Sequence, residues 1–486
     1  MTREMLSTHR PQPKSVILSP MRLAMSCLLI GVAGAAMAQQ ITYPVFETDK
    51  IPIAELKARR EKVKSHLGAN GVEIFFTNPE RNRNNDCDFR FRADSNFLYL
   101  TGFEEPDAAL VLAPDGIEID GKTVSEVLLV NESDPYSVTW LGYRMGSKEA
   151  KPLLGMEAVL PNNRLPDLLK ALAANKKNRY YNPFIPPSPS GHLKQMIDSL
   201  AEWTKGQNVK TLDLGPINSY IASLRVNKSA AELAMLKRAA EASAMGHREV
   251  FKSVKPGMRE YELMALVEYV FARNGCESVG YNSIVGSGPN SCILHYEEDR
   301  RLIEDGDMIC MDAAGEFHGY SADVTRSFPA NGKFSPAQKA IYEIVLAAQT
   351  AGIAQCKAGN GFGEPGNAAF KVVTEGLMKL GIIKNASEVG TYLPHGISHY
   401  IGLDVHDAHG DNTLKPNYVL TVEPGIYIRA GSKCDPKYWN IGVRIEDDIL
   451  VTAQGPVNLS AGVPRTVDEI EALMKKTGIG KKPVGQ

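Results

Sequence analysis

Four carboxylates stand where the surrounding residues call for buried strand. Asp312 ends the run Met-Ile-Cys-Met, and Asp323 sits in Tyr-Ser-Ala-Asp-Val-Thr-Arg. Glu423 follows Val-Leu-Thr-Val and precedes Pro-Gly, and Glu446 lies in Gly-Val-Arg-Ile-Glu-Asp-Asp-Ile-Leu-Val. An isolated carboxylate is costly to bury in such a strand, so it either raises its pKa or finds a cation. Any one of these acids alone reads as an ordinary turn or edge residue. Four together point to one shared solution, a divalent metal. His399, in His-Gly-Ile-Ser-His-Tyr-Ile-Gly-Leu-Asp-Val-His, adds an imidazole. One histidine and four carboxylates form a hard, oxygen-rich donor set that suits Mn, Co, Fe or Zn. Five side chains exceed the needs of one ion. Two ions about 3.5–4 Å apart, bridged by carboxylates and a hydroxide, fit better.

The elements that must position these residues fall in two units. From Thr48 to about Gly215 the pattern is α/β. A basic helix is expected over Leu56–Leu67, with strands over Val72–Thr77, Asp107–Ala113 and Glu126–Asn131. The proline-rich stretch Tyr181–Gly191 reads as loop, and the boundary is placed between Gly215 and Asn227. The second unit opens with the capping box Ser229-Ala-Ala-Glu232. A helix over Glu260–Arg273 ends on Asn274-Gly275. Strands are expected over Met308–Ala313, Tyr320–Phe328, Tyr418–Val422 and Val443–Val451. Ser335-Pro336 and the capping box Thr466-Val-Asp-Glu469 start two further helices. The basic tail 476–486 is expected to lack structure.

The segments Asp312-x10-Asp323-Val-Thr-Arg, His395-Gly-Ile-Ser-His399, Gly402-Leu-Asp-Val-His406-Asp, Thr421-Val-Glu423-Pro-Gly425 and Arg444-Ile-Glu446-Asp-Asp resemble the M24 "pita-bread" metallopeptidases. Within that family they resemble aminopeptidase P and prolidase. The first unit joins the resemblance through Phe91-Arg-Ala-Asp-Ser-Asn-Phe-Leu-Tyr-Leu-Thr-Gly-Phe-Glu-Glu-Pro106 and Trp140-Leu-Gly-Tyr-Arg144. The implied architecture is α/β (α+β): a creatinase/aminopeptidase P-like domain over 48–220, then a pita-bread catalytic domain over 227–475. The implied activity is release of the first residue from short peptides with proline in second place, by attack of a metal-bridging hydroxide. The resemblance gives Asp312 to one ion, His399 and Glu423 to the other, and Asp323 and Glu446 to both, with Mn2+ the usual metal and Co2+, Zn2+ or Fe2+ as alternatives. It gives proton handling to Glu423. It places His295, His395 and His406 in the substrate site as catalytic and binding groups, and Tyr427 against substrate. Arg444, two residues before Glu446 and read as sharing its strand face, orients ligands from behind. Asp404, Asp407 and His409 read as solvated loop residues.

The family arginine that follows the His406 segment is missing here. In prolidase it helps hold the dipeptide carboxylate, so its absence favours an aminopeptidase over a dipeptidase. A more distant alternative is a pita-bread binding module without catalysis, although the five ligand positions are intact. Relatives form dimers or tetramers, so a homodimer or homotetramer is expected.

With 23% charged and 43% hydrophobic residues and a formal net charge of −2, the 486-residue chain has the composition of an ordinary globular enzyme and no electrostatic mark of nucleic-acid binding. Lys14 and Arg22 precede an apolar run from Leu23 to Ala36, then Ala36-Met37-Ala38. That is an export leader, residues 1–38, ending at a small-x-small cleavage site. Its apolar run is too short to span roughly 30 Å of hydrocarbon, so no stable membrane insertion is expected. The expected destination is the periplasm or the exterior. The six cysteines after the leader include no CxxC pair. A Cys276–Cys292 disulfide is conceivable, and buried free thiols are the simpler expectation.

Overall fold

The structure is a computed structural model that describes residues 43–175, 177–181, 191–205 and 214–481. The expected leader and most of the proline-rich stretch lie outside the described residues. No helix among the described residues is long and apolar enough to cross a membrane.

The first unit is built on a five-stranded mixed sheet. Helix α1 (Ile53–Leu67) leads into β1 (Gly71–Phe76), and helix α2 (Ser95–Thr101) precedes β2 (Ala109–Ile119) and β3 (Lys122–Val130). Then come β4 (Ala158–Pro161), α3 (Leu165–Ala173), β5 (Arg179–Tyr181), α4 (Gly191–Lys205) and α5 (Leu214–Val226). The strand order is β4-β3-β2-β1-β5. β2 and β3 form a hairpin longer than the two short strands expected. Its turn is Asp120-Gly121, with φ of 49° and 75°, the pair of positive values that a two-residue hairpin turn requires. One sheet face buries Val72, Ile74, Val111 and Leu129 against leucines of α3 and α4. The other face buries Phe75, Leu110 and Leu128 in a core that runs without interruption into the second unit. Helix α5 spans the place where the sequence suggested a linker.

The second unit opens with α6 (Ala230–Ser253), capped reciprocally by Ser229 and Glu232 as expected, and α7 (Glu260–Arg273). Strands β6 (Ile284–Ser287), β7 (Met308–Asp312) and β8 (Thr325–Pro329) form one antiparallel sheet with β7 in the middle. Helices α8 (Pro336–Ile353) and α9 (Glu364–Lys379) follow. Strand β9 (Val419–Val422) pairs with β12 (Asp447–Thr452), and β10 (Gly425–Ile428) pairs with β11 (Ile441–Arg444). β12 also pairs with β13 (Gly455–Asn458), and α10 (Val467–Met474) closes the unit.

Two expected strands are broken. The stretch 320–328 divides at 322–324, where the chain leaves its pairing with Gly315–Phe317 and takes up pairing with β7. The stretch 443–451 divides at 445–446, where the partner changes from β10 to β9. Each break exchanges one ladder partner for another, which an unbroken strand cannot do. The expected unstructured tail is also corrected in part. Ile479–Lys481 forms a 3₁₀ turn, and Gly478 and Gly480 donate to Lys252 O and Ser253 Oγ of α6, both at 3.0 Å. Residues 482–486 lie outside the described residues. All six cysteines among the described residues are free, and four of them are buried.

Candidate metal centre

The strand breaks are where the acids stand. Asp312 is the last residue of β7, Asp323 lies in the break before β8, Glu423 between β9 and β10, and Glu446 between β11 and β12. A residue at a break is released from the in-and-out alternation of a ladder, so acids from four strands can turn toward one point. His399 reaches the same point on a segment laid against β9. Thr421 N–H donates to His399 O and Glu423 N–H to Ile397 O, both at 2.9 Å.

One ligand atom from each of Asp323, His399 and Glu446 lies within 4.8 Å of the others. His399 Nε2 is 3.4 Å from Asp323 and 3.6 Å from Glu423. Its Nδ1 faces Tyr400 O at 3.1 Å; a proton held there leaves Nε2 free for a cation. Asp312 joins through Tyr281, whose hydroxyl bonds to its carboxylate and to Asp323 Oδ1 at 2.7 Å. Thr325 Oγ1 donates to Glu446 Oε2 at 2.7 Å.

Burial and then the charge of Asp312 raise the Asp323 pKa. Burial, followed by the charges of Asp323, Glu423 and Asp312, raises that of Glu446 well above the carboxylate range. Glu423 is pushed up to about 8, by burial first, with His399 opposing and Asp323 adding to the rise. Burial disfavours a charged His399, but the hydrogen bond and charge of Asp323 outweigh it and lift the imidazole to about 9. Without a cation, the centre needs protons to offset its own like charges. Hard oxygen donors with one imidazole, crowded to this degree, fit divalent ions.

Behind the donors, Arg444 Nη2 donates to Asp312 Oδ2 at 2.7 Å and Nη1 to the Tyr427 hydroxyl at 2.9 Å. Arg444 therefore holds the Asp312 carboxylate in place, although not from a strand face shared with Glu446, because β11 ends at Arg444 itself. His395 Nε2 lies 2.9 Å from the Tyr427 hydroxyl and Nδ1 lies 2.6 Å from Gly396 O. Burial lowers its pKa to about 4, so this ring is neutral. The His406 ring stacks on His399 at 3.9 Å and 13°. His295 is exposed at the rim, on a segment fastened by Glu260. That buried carboxylate accepts from Ser287 N and Oγ, Asn290, Tyr296 and Arg301 N.

Models of two families match the chain: metallopeptidase family M24 over residues 234–453, and the aminopeptidase P N-terminal domain over residues 56–181. The Xaa-Pro aminopeptidase of Escherichia coli is 36% identical over 445 residues, 86% of this chain and 97% of the relative. That of Haemophilus influenzae is 35% identical over 439 residues, 87% of this chain and 98% of the relative. The chain belongs to metallopeptidase family M24. Among solved structures, E. coli aminopeptidase P with the inhibitor Pro-Leu superposes with a TM-score of 0.79 at 35% identity, covering 88% of this chain and 99% of that one.

For an M24 chain, some of the supporting residues were hidden from sequence reasoning. Thr325 lay inside a motif already singled out, beside Asp323. Tyr281 and Glu260 carry no local signal, since a tyrosine after glycine and a glutamate in a helix's first turn are ordinary. Asp407, expected to be a solvated loop residue, has a side chain only 1% exposed.

Proposed function

We propose that the protein is a metal-dependent Xaa-Pro aminopeptidase with two divalent ions per subunit, manganese being the expected metal. The carrying observation is the gathering of Asp323, His399 and Glu446 at one point, with Glu423 beside His399 and Asp312 joined through Tyr281, and with Asp323, Glu423 and Glu446 pushed toward protonation by burial and by neighbouring acids. These five residues would hold the ions. Bound there, divalent ions supply Lewis acidity and lower the pKa of coordinated water toward neutrality. Glu423 receives the proton of the attacking water and passes it to the departing prolyl nitrogen, general acid–base help worth roughly 10²–10⁴-fold. His295 and His406 orient the scissile carbonyl from the rim. Neutral His395, tied to Tyr427, lines the pocket for the proline ring. A prolyl amide has no N–H, so recognition rests on ring shape and on the free α-amine.

The leader supports export to the periplasm or the exterior, with cleavage after Ala38. Helix 135–141, which buries none of its residues and exposes Tyr136, Trp140 and Leu141, supports assembly as a homodimer or homotetramer. The test is cleavage of Gly-Pro-Ala and of Gly-Pro with and without manganese, repeated with Asp323→Ala. Glycine release from the tripeptide, dependent on metal and absent in the variant, is expected. Preference for the dipeptide would make the enzyme a prolidase instead.

A further inference from the structure

Away from the donor set, a dense buried charge cluster sits where the two units meet. Arg225, near the end of α5, is 5% exposed. Its guanidinium donates to the Asp407 carboxylate, to Asp404 Oδ2 at 2.7 Å and to Asn96 Oδ1 at 2.9 Å. Lys228, on the link into α6, donates to Asp407 Oδ2 at 2.9 Å and to Arg225 O at 2.6 Å. Ser95 of α2 donates to Asp404 Oδ1 at 2.5 Å, and Arg92 donates to Leu403 O. Burial works against the Asp407 charge, but Lys228 and then Arg225 more than offset it and keep this carboxyl below its usual range.

The clamped segment leads directly into the metal centre. Asp407 N–H donates to Tyr400 O at 2.8 Å, so His406-Asp407 is fastened beside His399-Tyr400. The turn between them closes at Gly402, where a side chain would collide with the Asp407 carboxylate and crowd Lys228. Among the described residues no hydrogen bond to another side chain orients the His406 ring; it is held by its stack on His399 and by its backbone. A backbone fixed on the far side by two buried cations is what keeps that ring in register.

We infer that Arg225 and Lys228 are positioning residues for His406. The inter-unit link grips Asp407, and through it holds the imidazole at its stacked place over the ligand His399. The inter-unit link thereby acts on catalysis without touching substrate. This deepens the peptidase reading and rests on it for its kinetic consequence, while its structural consequence stands apart.

The test uses the full metal-loaded chain with Arg225→Met, Lys228→Met and the milder Asp404→Asn, whose target side chain is 44% exposed and which loosens one anchor of Arg225 without removing Asp407. Crystal structures of the variants are expected to show the His406 ring out of its stack. Kinetically, displacement of about 1 Å costs up to ~10²-fold, expected in kcat with KM little changed and metal content unaltered. In a His406→Ala background the same substitutions should add almost nothing, because both act through one group. A ring still stacked in Lys228→Met, or a loss repeated in full in the His406→Ala background, overturns the inference. If Arg225→Met fails to fold, Lys228→Met and Asp404→Asn carry the test. A parent enzyme inactive on Xaa-Pro peptides would refute the proposed function, and ring position alone would then decide the positioning role.

Discussion

The first unit's sheet and the metallopeptidase unit both bury acids, and they neutralise them in different ways. In the sheet, Glu73 of β1 and Glu126 of β3 flank Leu112 in one row of paired residues, so they share a face. Glu126 is held by Arg60 at 2.9 and 3.1 Å and by Lys64 at 3.5 Å. Glu73 finds no hydrogen-bond partner for either oxygen among the described residues, and burial raises its pKa well above the usual range, so it keeps its proton. Asp323, Glu423 and Glu446 are pushed up by burial and by one another. Position makes the difference. Glu73 and Glu126 lie inside continuous strands, where each acid must be neutralised singly. The acids of the candidate metal centre lie at strand ends and breaks, where they converge and a shared cation can replace several protons. A buried carboxylate does not mark a site; carboxylates gathered at breaks do.

The strongest way to break that comparison is Glu446→Gln. It removes the acid most burdened by its neighbours while keeping its shape and its hydrogen bond from Thr325. Turnover of an Xaa-Pro-Yaa peptide should fall below detection. The metal-free variant should nevertheless melt above the metal-free parent at pH 9, where more of the crowded charges are expressed than at neutral pH. A lower melting temperature at that pH would mean that the acids do not repel one another as argued.

Arg60→Met examines the opposite case. It leaves Glu126 in a sheet interior with Lys64, at 3.5 Å, as its remaining cation, at a cost of up to about 3–5 kcal/mol. Urea unfolding should show that loss, and adding Glu126→Leu should restore most of it. If the single substitution costs nothing, the pairing in the sheet contributes no more than the proton on Glu73.

A third effect follows from the linkage between protons and metal. Glu423, at about 8 instead of 4.5, and His399, at about 9 instead of 6.5, both hold more protons folded than unfolded. Stability of the chelated protein therefore falls as pH rises from 6.5 toward 9. His395 and His247, both lowered to about 4, act with the opposite sign but only below 6.5, outside this window. Manganese at a hundred times its dissociation constant should add about 2.7 kcal/mol and flatten the slope, because the ions displace the protons. Melting curves at pH 6.5 and 9, with chelator and with manganese, test this; an unchanged slope on metal addition counts against metal at these residues.

Much of this arrangement was legible in the sequence. Capping boxes at Ser229 and Thr466 fixed helix starts because their chemistry is local. The acids stood out because each interrupts an apolar run. The breaks at 322–324 and 445–446 were not legible: exchanging one ladder partner for another is a tertiary event, and both sides of each break are buried strand. For the same reason Asp407 read as solvated. Its cations, Arg225 and Lys228, lie 182 and 179 positions away in the chain, and no local pattern joins them. The sequence could likewise show that Glu73 interrupts Gly-Val-Glu-Ile-Phe-Phe, but not that nothing would meet it.

The smallest effect is expected there. Glu73→Leu replaces a protonated carboxyl with an apolar side chain of similar size, and such swaps shift stability by less than about 1.5 kcal/mol. At pH 5 the variant should lie near parity with the parent. As pH rises, the unfolded parent loses its Glu73 proton while the folded parent keeps it, so the parent weakens by up to about 1.4 kcal/mol per pH unit. The variant has no such proton to lose. The gap in melting temperature should therefore open in the variant's favour between pH 5 and 8, with peptidase activity unchanged throughout. A gap that stays constant with pH would mean Glu73 is charged and paired in the folded state. It would then belong with Glu126, and the solitary buried acid would vanish from the contrast with the metal centre.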